Sequence, residues 1–181
     1  LIGIATALIC WNILPLCAGF GDALRSAFFQ VTSISSTTGF STVDFDQWPT
    51  LSRMILVLLM FIGACAGSTG GGLKVSRVML LLRTARRSMR RMIHSRSVES
   101  IRFDGRIIEE DTLNTCLIYL AIYCLVTIAS VVLVSLNNFS FETNVTGVIA
   151  CINNIGPGLG MVGPTGNFAA FSGLSKLVLA F

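Results

Sequence analysis

A run of ten residues rich in hydroxyl groups, residues 33–42, separates two apolar stretches of this chain. Within it, the order Thr37-Thr38-Gly39-Phe40 is close to the Thr-Val-Gly-Tyr pattern of potassium-channel filters, whose backbone carbonyl oxygens replace the water shell of the ion. Non-helical, hydroxyl-rich backbone is tolerated at membrane depth only where protein buries it or where it lines a water-filled cavity. The segment therefore indicates a backbone site for a desolvated cation. The alternative is a cluster of capping and turn residues between helices.

The composition predicts a membrane protein for these residues. Of the 181 residues, 53% are hydrophobic and 12% are charged, and the mean hydropathy is +0.77. Since a soluble domain carries about 25% charged residues, a soluble class is excluded. The six cysteines lie mostly in apolar runs without metal-binding spacing, so we expect small buried hydrophobic residues rather than disulfides. No covalently bound cofactor is predicted.

The apolar segments alternate between lengths that can cross a bilayer and lengths that cannot. Residues 1–18 and 113–136 are long enough to span it, whereas residues 23–36 and 145–154 are too short to cross. The short segments are typical of re-entrant half-helices, each followed by a glycine-containing loop. Residues 53–82 would be about 45 Å long as one helix, against a hydrocarbon core of about 30 Å. We therefore expect an interruption inside that stretch.

Glycine is concentrated in the middle of that long stretch. Gly63, Gly67 and Gly71 have the small-xxx-small spacing of packed membrane helices. That spacing leaves Gly70 and Gly72 unexplained, and each glycine inside a helix costs about 1 kcal/mol relative to alanine. An unwound intramembrane loop is therefore expected. Its residues form a candidate gate below the filter: Gly67, Ser68, Thr69, Gly70, Gly71, Gly72 and Lys74.

Lys74 closes this segment and admits two interpretations. A charge within a span is usually functional, but the side chain can also snorkel to the cytoplasmic interface. The order of residues also resembles the GxxxxGK[ST] loop of phosphate-binding enzymes. However, Leu73 separates Gly72 from Lys74, Val75 replaces the magnesium-binding hydroxyl, and no strand is predicted before the loop. The sequence therefore does not predict an enzyme.

Ten of the thirteen basic residues lie between Lys74 and Arg106. A basic run beside a span marks the cytoplasmic side, so we expect residues 83–112 to be cytoplasmic and to contact anionic lipid. No aromatic residue interleaves the arginines between positions 83 and 96, and no nucleic-acid partner is predicted. Asp104-Gly105 predicts a hairpin within this linker.

The order of segments repeats along the chain. Aligning Gly39 with Gly156 pairs the first loop candidate with a second, which consists of Asn154, Ile155, Gly156 and Pro157. We expect three parts: a pore repeat at 1–84, a basic linker at 85–112 and a truncated second repeat at 113–181. With the linker inside, both half-helices enter from the outer face and point their negative dipole ends at a bound cation. Two repeats supply half a ring of carbonyls.

The filter candidate, the Gly-Ser-Thr-Gly-Gly-Gly-Leu-Lys run and the Asn-Asn-Ile-Gly-Pro-Gly-Leu-Gly run together resemble the Trk/Ktr/HKT superfamily of potassium transporters, and most closely its bacterial Trk-type membrane subunits. The resemblance covers nearly the whole chain. It implies an all-α, potassium-channel-like membrane protein built from repeated units of transmembrane helix, re-entrant pore loop and transmembrane helix. This chain would form the third repeat and most of the fourth, with K+ as the transported substrate held at the filter residues.

The same resemblance implies a multi-pass protein of the bacterial cytoplasmic membrane with its pore loops facing outside. Expected partners are the N-terminal repeats of the same polypeptide, a second copy in a homodimer, and a cytosolic nucleotide-binding regulatory subunit. Cys65 departs from the family pattern, because a small non-sulfur residue is expected there, and the closing span is missing. Two alternatives stay open: a non-conducting structural or receptor subunit, and a sodium-permeable or sodium-coupled relative.

Overall fold

A computed structural model of the chain describes residues 1–63, 72–93, 102–103, 106–107 and 110–180. The described part is mostly helical. The helices are α1 (Ile2–Ile13), α2 (Phe20–Ser35), α3 (Thr50–Phe61), α4 (Val75–Ile93), α5 (Glu110–Val134), α6 (Phe141–Ile152) and α7 (Gly173–Ala180). The strands have two residues each: β1 (Ile62–Gly63), β2 (Leu73–Lys74), β3 (Arg102–Phe103) and β4 (Arg106–Ile107).

The helix lengths follow the predicted alternation in the second half, where α5 has 25 residues and α6 has 12. They do not follow it in the first half, where α1 has 12 residues and α2 has 16. Among the described residues, one helical segment is long and apolar enough to cross a membrane, Asp111–Asn137, which comprises α5 and the 3-10 turn after it. Only 11% of its most apolar window is buried within the chain, so its apolar side chains face outward. Three shorter apolar helical segments accompany it: Ile2–Leu16, Thr50–Phe61 and Phe141–Ile152.

The predicted interruption of residues 53–82 is confirmed. Helix α3 ends at Phe61 and α4 begins at Val75. Between them, β1 and β2 pair in parallel with Gly63 opposite Lys74, a pairing that the sequence does not predict. The two ends of the glycine-rich segment therefore lie side by side. Its middle, which includes the gate candidates at positions 67–71, lies outside the described residues.

The core joins the two halves of the chain. Helices α1, α2 and α3 pack into one cluster, and three residues from the second half enter it: Ile149, Ile155 and Leu159. A second cluster lies around α5, α6 and α7. Because the first cluster holds residues from α6 and the loop after it, the two halves form one packed unit around the end of α2.

The basic linker contains the predicted hairpin. Strands β3 and β4 pair antiparallel with Phe103 opposite Arg106, and the turn at positions 104–105 lies outside the described residues. Helix α4 continues without a break across the expected division between residues 84 and 85. No glycine or proline falls inside α4 to end it earlier. The linker thus begins as a continuation of the helix that follows the glycine-rich segment.

Charged side chains connect the loop before α3 to the second half. The guanidinium of Arg53 lies 2.9 Å from the Glu142 carboxylate and 3.8 Å from the Asp46 carboxylate. Asp46 also accepts a hydrogen bond from the backbone N–H of Gly160 at 3.1 Å. All three side chains are partly exposed, and this limits the contribution of the ion pairs to stability. The hydrogen bond at Gly160 is the more specific contact, because it fixes a backbone position after α6.

We expect Asp46→Ala to destabilise the full-length protein by about 1 kcal/mol, since the N–H of Gly160 loses a charged acceptor in a partly exposed site. Asp46→Asn retains an acceptor oxygen and should recover at least half of the loss. Thermal unfolding of the purified protein in detergent measures both. Equal midpoints for wild type and Asp46→Ala would show that this contact does not hold the two halves together.

Candidate functional site

The first candidate filter segment begins where α2 ends. Ser36 is the C-cap, and the N–H of Thr38 donates to the carbonyl of Ser33 at 2.9 Å. The N–H of Thr37 donates to the carbonyl of Ile34 at 3.1 Å, and Thr37 has φ of 56°. These are the two hydrogen bonds and the left-handed residue of a Schellman motif. The chain therefore leaves α2 by an abrupt turn; we call residues 36–40 the first loop.

The second segment leaves α6 by the same turn. Asn153 is the C-cap, and the N–H of Ile155 donates to the carbonyl of Ala150 at 2.9 Å. The N–H of Asn154 donates to the carbonyl of Cys151 at 3.0 Å, and Asn154 has φ of 53°. We call residues 153–157 the second loop. The sequence alignment of Thr37 with Asn154 thus corresponds to a matching backbone conformation.

The two loops also match at the next glycine. Gly39 has φ of +76° and Gly156 has φ of +107°. In the first loop the left-handed residue before the glycine is Thr37, a β-branched residue that is a genuine outlier at positive φ. Such conformations cost on the order of 1–3 kcal/mol, persist only where the surrounding structure imposes them, and cluster at functional sites.

The two loops meet at Gly39. A Cβ built on Gly39 would stand 1.9 Å from the carbonyl oxygen of Ile155 and 3.3 Å from Cδ of Pro157. The neighbouring oxygen belongs to backbone, so it cannot move aside as a flexible side chain would. By contrast, a Cβ built on Gly156 would meet nothing within 4 Å. Gly39 is therefore required by the contact between the loops, and Gly156 only by its own backbone conformation.

Hydroxyl groups hold the first loop against α2. The hydroxyl of Ser33 donates to the carbonyl of Phe40 at 2.5 Å, and the hydroxyls of Ser36 and Thr38 are 2.8 Å apart. The hydroxyl-rich run thus caps the C-terminal end of a helix, whereas the sequence alternative was an N-cap cluster. The Phe40 carbonyl is turned towards α2, and its side chain is 72% exposed.

Different groups hold the second loop. The N–H of Leu159 donates to the hydroxyl of Thr146 at 2.9 Å, and that hydroxyl donates to the carbonyl of Glu142 at 2.7 Å. Further on, the N–H of Met161 donates to the hydroxyl of Thr143 at 3.2 Å. The chain after the second loop is therefore folded back along α6 by threonines of that helix.

The end of the glycine-rich segment lies against the base of the second loop. A Cβ built on Gly72, which has φ of +81°, would stand 2.8 Å from Oδ1 of Asn153. Asn153 is fully buried, and its Oδ1 accepts a hydrogen bond from the hydroxyl of Tyr123 at 3.0 Å. Its Nδ2 donates to no group that the described residues supply. A buried unpaired donor costs about 1–3 kcal/mol.

A cavity of about 950 Å³ lies on the other side of the glycine-rich segment. It is bordered by Thr38 and Phe40 of the first loop and by Gly63 and Val75 at the ends of the segment. The cavity also reaches the start of α1. Gly72 thus touches the base of the second loop, whereas Gly63 and Val75 border the same cavity as the first loop.

The structure brings together most of the residues that the sequence singles out. Thr37, Thr38, Gly39 and Phe40 form one loop, and Asn154, Ile155, Gly156 and Pro157 form the other, with Gly39 as the point of contact. Gly72 lies at the base of the second loop, and Lys74 is half-buried just before α4. Gly67, Ser68, Thr69, Gly70 and Gly71 lie outside the described residues, as does Cys65.

Sequence reasoning missed the side chains that hold the loops in place. Ser33 and Asn153 lie in runs that the sequence analysis names, but neither was assigned this role, and Thr146 and Tyr123 were not singled out. Each acts on a backbone group or amide that is distant in the chain or lies in an unusual turn. One signal was available for Asn153, since an asparagine directly before the aligned segment is rare within an apolar half-helix. Asp46 gave no signal, because its partner is a backbone N–H.

Comparisons with known proteins agree with this geometry. Residues 18–181 match the family model of TrkH, described as a cation transport protein. The Trk system potassium uptake protein TrkH of Salmonella typhimurium is 38% identical over 156 residues, which cover 86% of this chain and 32% of that protein. Its namesake from Escherichia coli K12 is 37% identical over the same length and share of each chain.

A solved structure matches the fold as well. The crystal structure of the potassium transporter TrkH from Vibrio parahaemolyticus has a TM-score of 0.87 at 31% sequence identity, covering 99% of this chain and 38% of that chain. The chain therefore spans about a third of the length of the relatives it matches. A membrane transporter fold, two matching loops at helix ends and a family match over nearly all residues lead to one conclusion: this chain belongs to the TrkH family of cation transport proteins.

Proposed function

We propose that this chain forms two neighbouring pore-lining units of a potassium uptake transporter, with the first and second loops as half of its ion filter. Each unit consists of a membrane helix, a half-helix with its loop, and a second membrane helix. The observation that carries the proposal is the contact between two loops of matching conformation, in which Gly39 lies against the carbonyl of Ile155. Two half-helices then end at one place, as a shared ion path requires.

Backbone groups supply the chemistry of this site. Neither loop contains a charged residue, so a cation would be held by carbonyl oxygens rather than by carboxylates. The C-terminal ends of α2 and α6 both reach the site, and the negative end of a helix dipole favours a cation. The carbonyl of Phe40 is already engaged by Ser33. The ligands from the first loop would therefore come mainly from Thr37, Thr38 and Gly39.

The remaining parts of the pore lie beyond this chain in the proposal. Two further units in the N-terminal part of the same polypeptide would complete a four-sided filter, in line with the share of the relatives that the chain spans. The complete transporter would cross the bacterial cytoplasmic membrane several times, pair as a homodimer and bind a cytosolic nucleotide-binding subunit. Residues 83–112 would face the cytoplasm and its anionic lipids, and the loops would open to the outside.

The glycine-rich segment is proposed as the gate. Its ends, Gly63 and Gly72, lie next to the two loops, so the segment can close the path directly below the filter. It has no counterpart in the described part of the second unit, so a symmetric ring of ligands is not expected from it. The gate residues are those that the sequence indicates: Gly67, Ser68, Thr69, Gly70, Gly71, Gly72 and Lys74.

Two other functions are compatible with the same fold. A sodium-permeable or sodium-coupled relative would use the same loops but would pass or bind sodium as well as potassium. A non-conducting structural or receptor subunit would carry two filter-like loops without using them. Flux of rubidium and sodium into proteoliposomes that hold the full-length protein separates the three, and potassium uptake predicts rubidium flux well above sodium flux.

We expect Gly39→Ala to lower the ratio of potassium to sodium flux by at least about tenfold, equivalent to about 1.4 kcal/mol of lost discrimination. A Cβ at this position overlaps the carbonyl of Ile155, so the two loops must separate. The ratio is measured in proteoliposomes with the full-length variant.

Gly156→Ala provides the matched control for Gly39→Ala. It also places a Cβ on a residue with positive φ, but that Cβ meets no neighbouring atom, so its flux ratio should fall less. If both variants reach the membrane and Gly39→Ala retains the wild-type ratio, the contact between the loops plays no part in selectivity.

We expect Gly70→Ala combined with Gly71→Ala to change the maximal flux several-fold while the rubidium-to-sodium ratio stays constant. Two such changes favour helix by about 2 kcal/mol, enough to shift a marginal unwound segment. Initial rates of rubidium and sodium uptake at saturating concentrations measure both quantities. A collapsed ratio at an unchanged maximal rate would make the segment a second filter instead of a gate.

A further inference from the structure

One buried side chain, that of Asn153, joins three parts of the molecule. Its amide oxygen accepts a hydrogen bond from Tyr123 on α5 and lies beside Gly72 at the end of the glycine-rich segment. Its backbone is the C-cap of α6 and directly precedes Asn154, the left-handed residue of the second loop. A shift of this side chain would therefore displace the backbone at the base of the second loop.

The contact between Gly72 and Asn153 leaves no free space. A Cβ on Gly72 would approach Oδ1 of Asn153 to 2.8 Å and its Cγ to 3.2 Å. The same Oδ1 accepts the hydrogen bond from the hydroxyl of Tyr123. Movement of the chain at Gly72 towards α6 must therefore push the amide of Asn153, and movement away removes its support.

The amide of Asn153 also carries a hydrogen-bond donor without a partner among the described residues. The side chain is fully buried, and Nδ2 has no partner among the groups that the structure describes. A buried donor without an acceptor favours any rearrangement that brings a carbonyl within reach. The backbone at Gly72 is the described neighbour of this amide whose displacement would move it.

The residues that the structure describes show no equivalent link at the first loop. Ser36 is the residue aligned with Asn153, and it is exposed, with its hydroxyl donating to the carbonyl of Thr32 in its own helix at 2.7 Å. The cavity separates Thr38 of this loop from Gly63 and Val75. Among the described residues, the end of the glycine-rich segment therefore meets the filter candidates through the second loop.

We propose that Asn153 is a positioning residue through which the backbone at Gly72 sets the conformation of the second loop, so that gate and filter are coupled. The proposal rests on the proposed ion-conducting function. It predicts that a disturbance at Gly72 reaches the filter only when the Asn153 amide is present.

A double-mutant cycle on rubidium and sodium flux tests this coupling in the full-length protein. Gly72→Ala should lower the maximal rubidium flux, because the added Cβ meets the amide of Asn153 and has an unfavourable φ. Asn153→Ala removes the first of these two causes. The loss due to Gly72→Ala should therefore be at least about threefold smaller in the Asn153→Ala background, a coupling typical of side chains in contact.

Selectivity provides a second measurement that a general loss of stability would not imitate. Asn153→Ala should lower the rubidium-to-sodium ratio, and Tyr123→Phe should lower it in the same direction by a smaller factor, since the amide stays in place without its donor. Should Asn153→Ala fail to assemble, Asn153→Ser takes its place, because it introduces the residue of the aligned position. Ser36→Ala serves as the matched control and should show no coupling to Gly72→Ala.

The outcomes separate the two proposals. Selective flux in the wild type together with losses that simply multiply in the double variant overturns the role of Asn153 and leaves the proposed function standing. A wild-type protein that passes neither rubidium nor sodium overturns the proposed function and this inference with it. Coupling at Asn153 that is absent at Ser36, with a lowered ratio in Tyr123→Phe, supports the positioning role.

Discussion

The end of a helix inside a protein leaves carbonyl groups without partners, and this constraint shapes the whole site. Helices α2 and α6 end at loops that contain both exposed and at least partly buried residues, and the last carbonyls of each helix have no partner within the helix itself. Both helices end in a Schellman motif, whose two hydrogen bonds pair some of the last backbone carbonyls and redirect the chain. In the proposed filter, the carbonyls of the residues after each turn would face a common ion path. The left-handed conformation of Thr37 is the cost of that arrangement, and Gly39 permits the close approach of the second loop.

The two loops reach the same conformation by different means. The first is tied back to its own helix by serine hydroxyls, whereas the second is held by threonines of α6 and by the amide of Asn153. Asp46 adds a link from the first unit to the backbone at Gly160. Because the two loops have matching backbones but different supporting contacts, they would respond differently to movements below the proposed filter.

Local patterns in the sequence predicted much of this structure. The excess length of residues 53–82 and their glycines predicted the break between Phe61 and Val75, and Asp104-Gly105 predicted the pairing of β3 with β4. The alignment of Gly39 with Gly156 predicted matching loops, since a need for positive φ is visible as glycine. The parallel pairing of β1 with β2 was not predictable, because two-residue strands carry no periodicity. The contacts of Asn153 and Asp46 join residues far apart in the chain, and a single sequence contains no signal for such pairs.

The central claim is that backbone carbonyls of the two loops hold a desolvated monovalent cation. Crystals of the full-length protein grown in rubidium, measured at the rubidium absorption edge, test it most directly, because anomalous scattering locates the ion without reference to function. The account predicts a peak on the path between the loops, in contact with carbonyl oxygens of residues 37–39 and 154–156. Rubidium bound instead to carboxylates such as Asp46 or Glu142, with no peak between the loops, would contradict it.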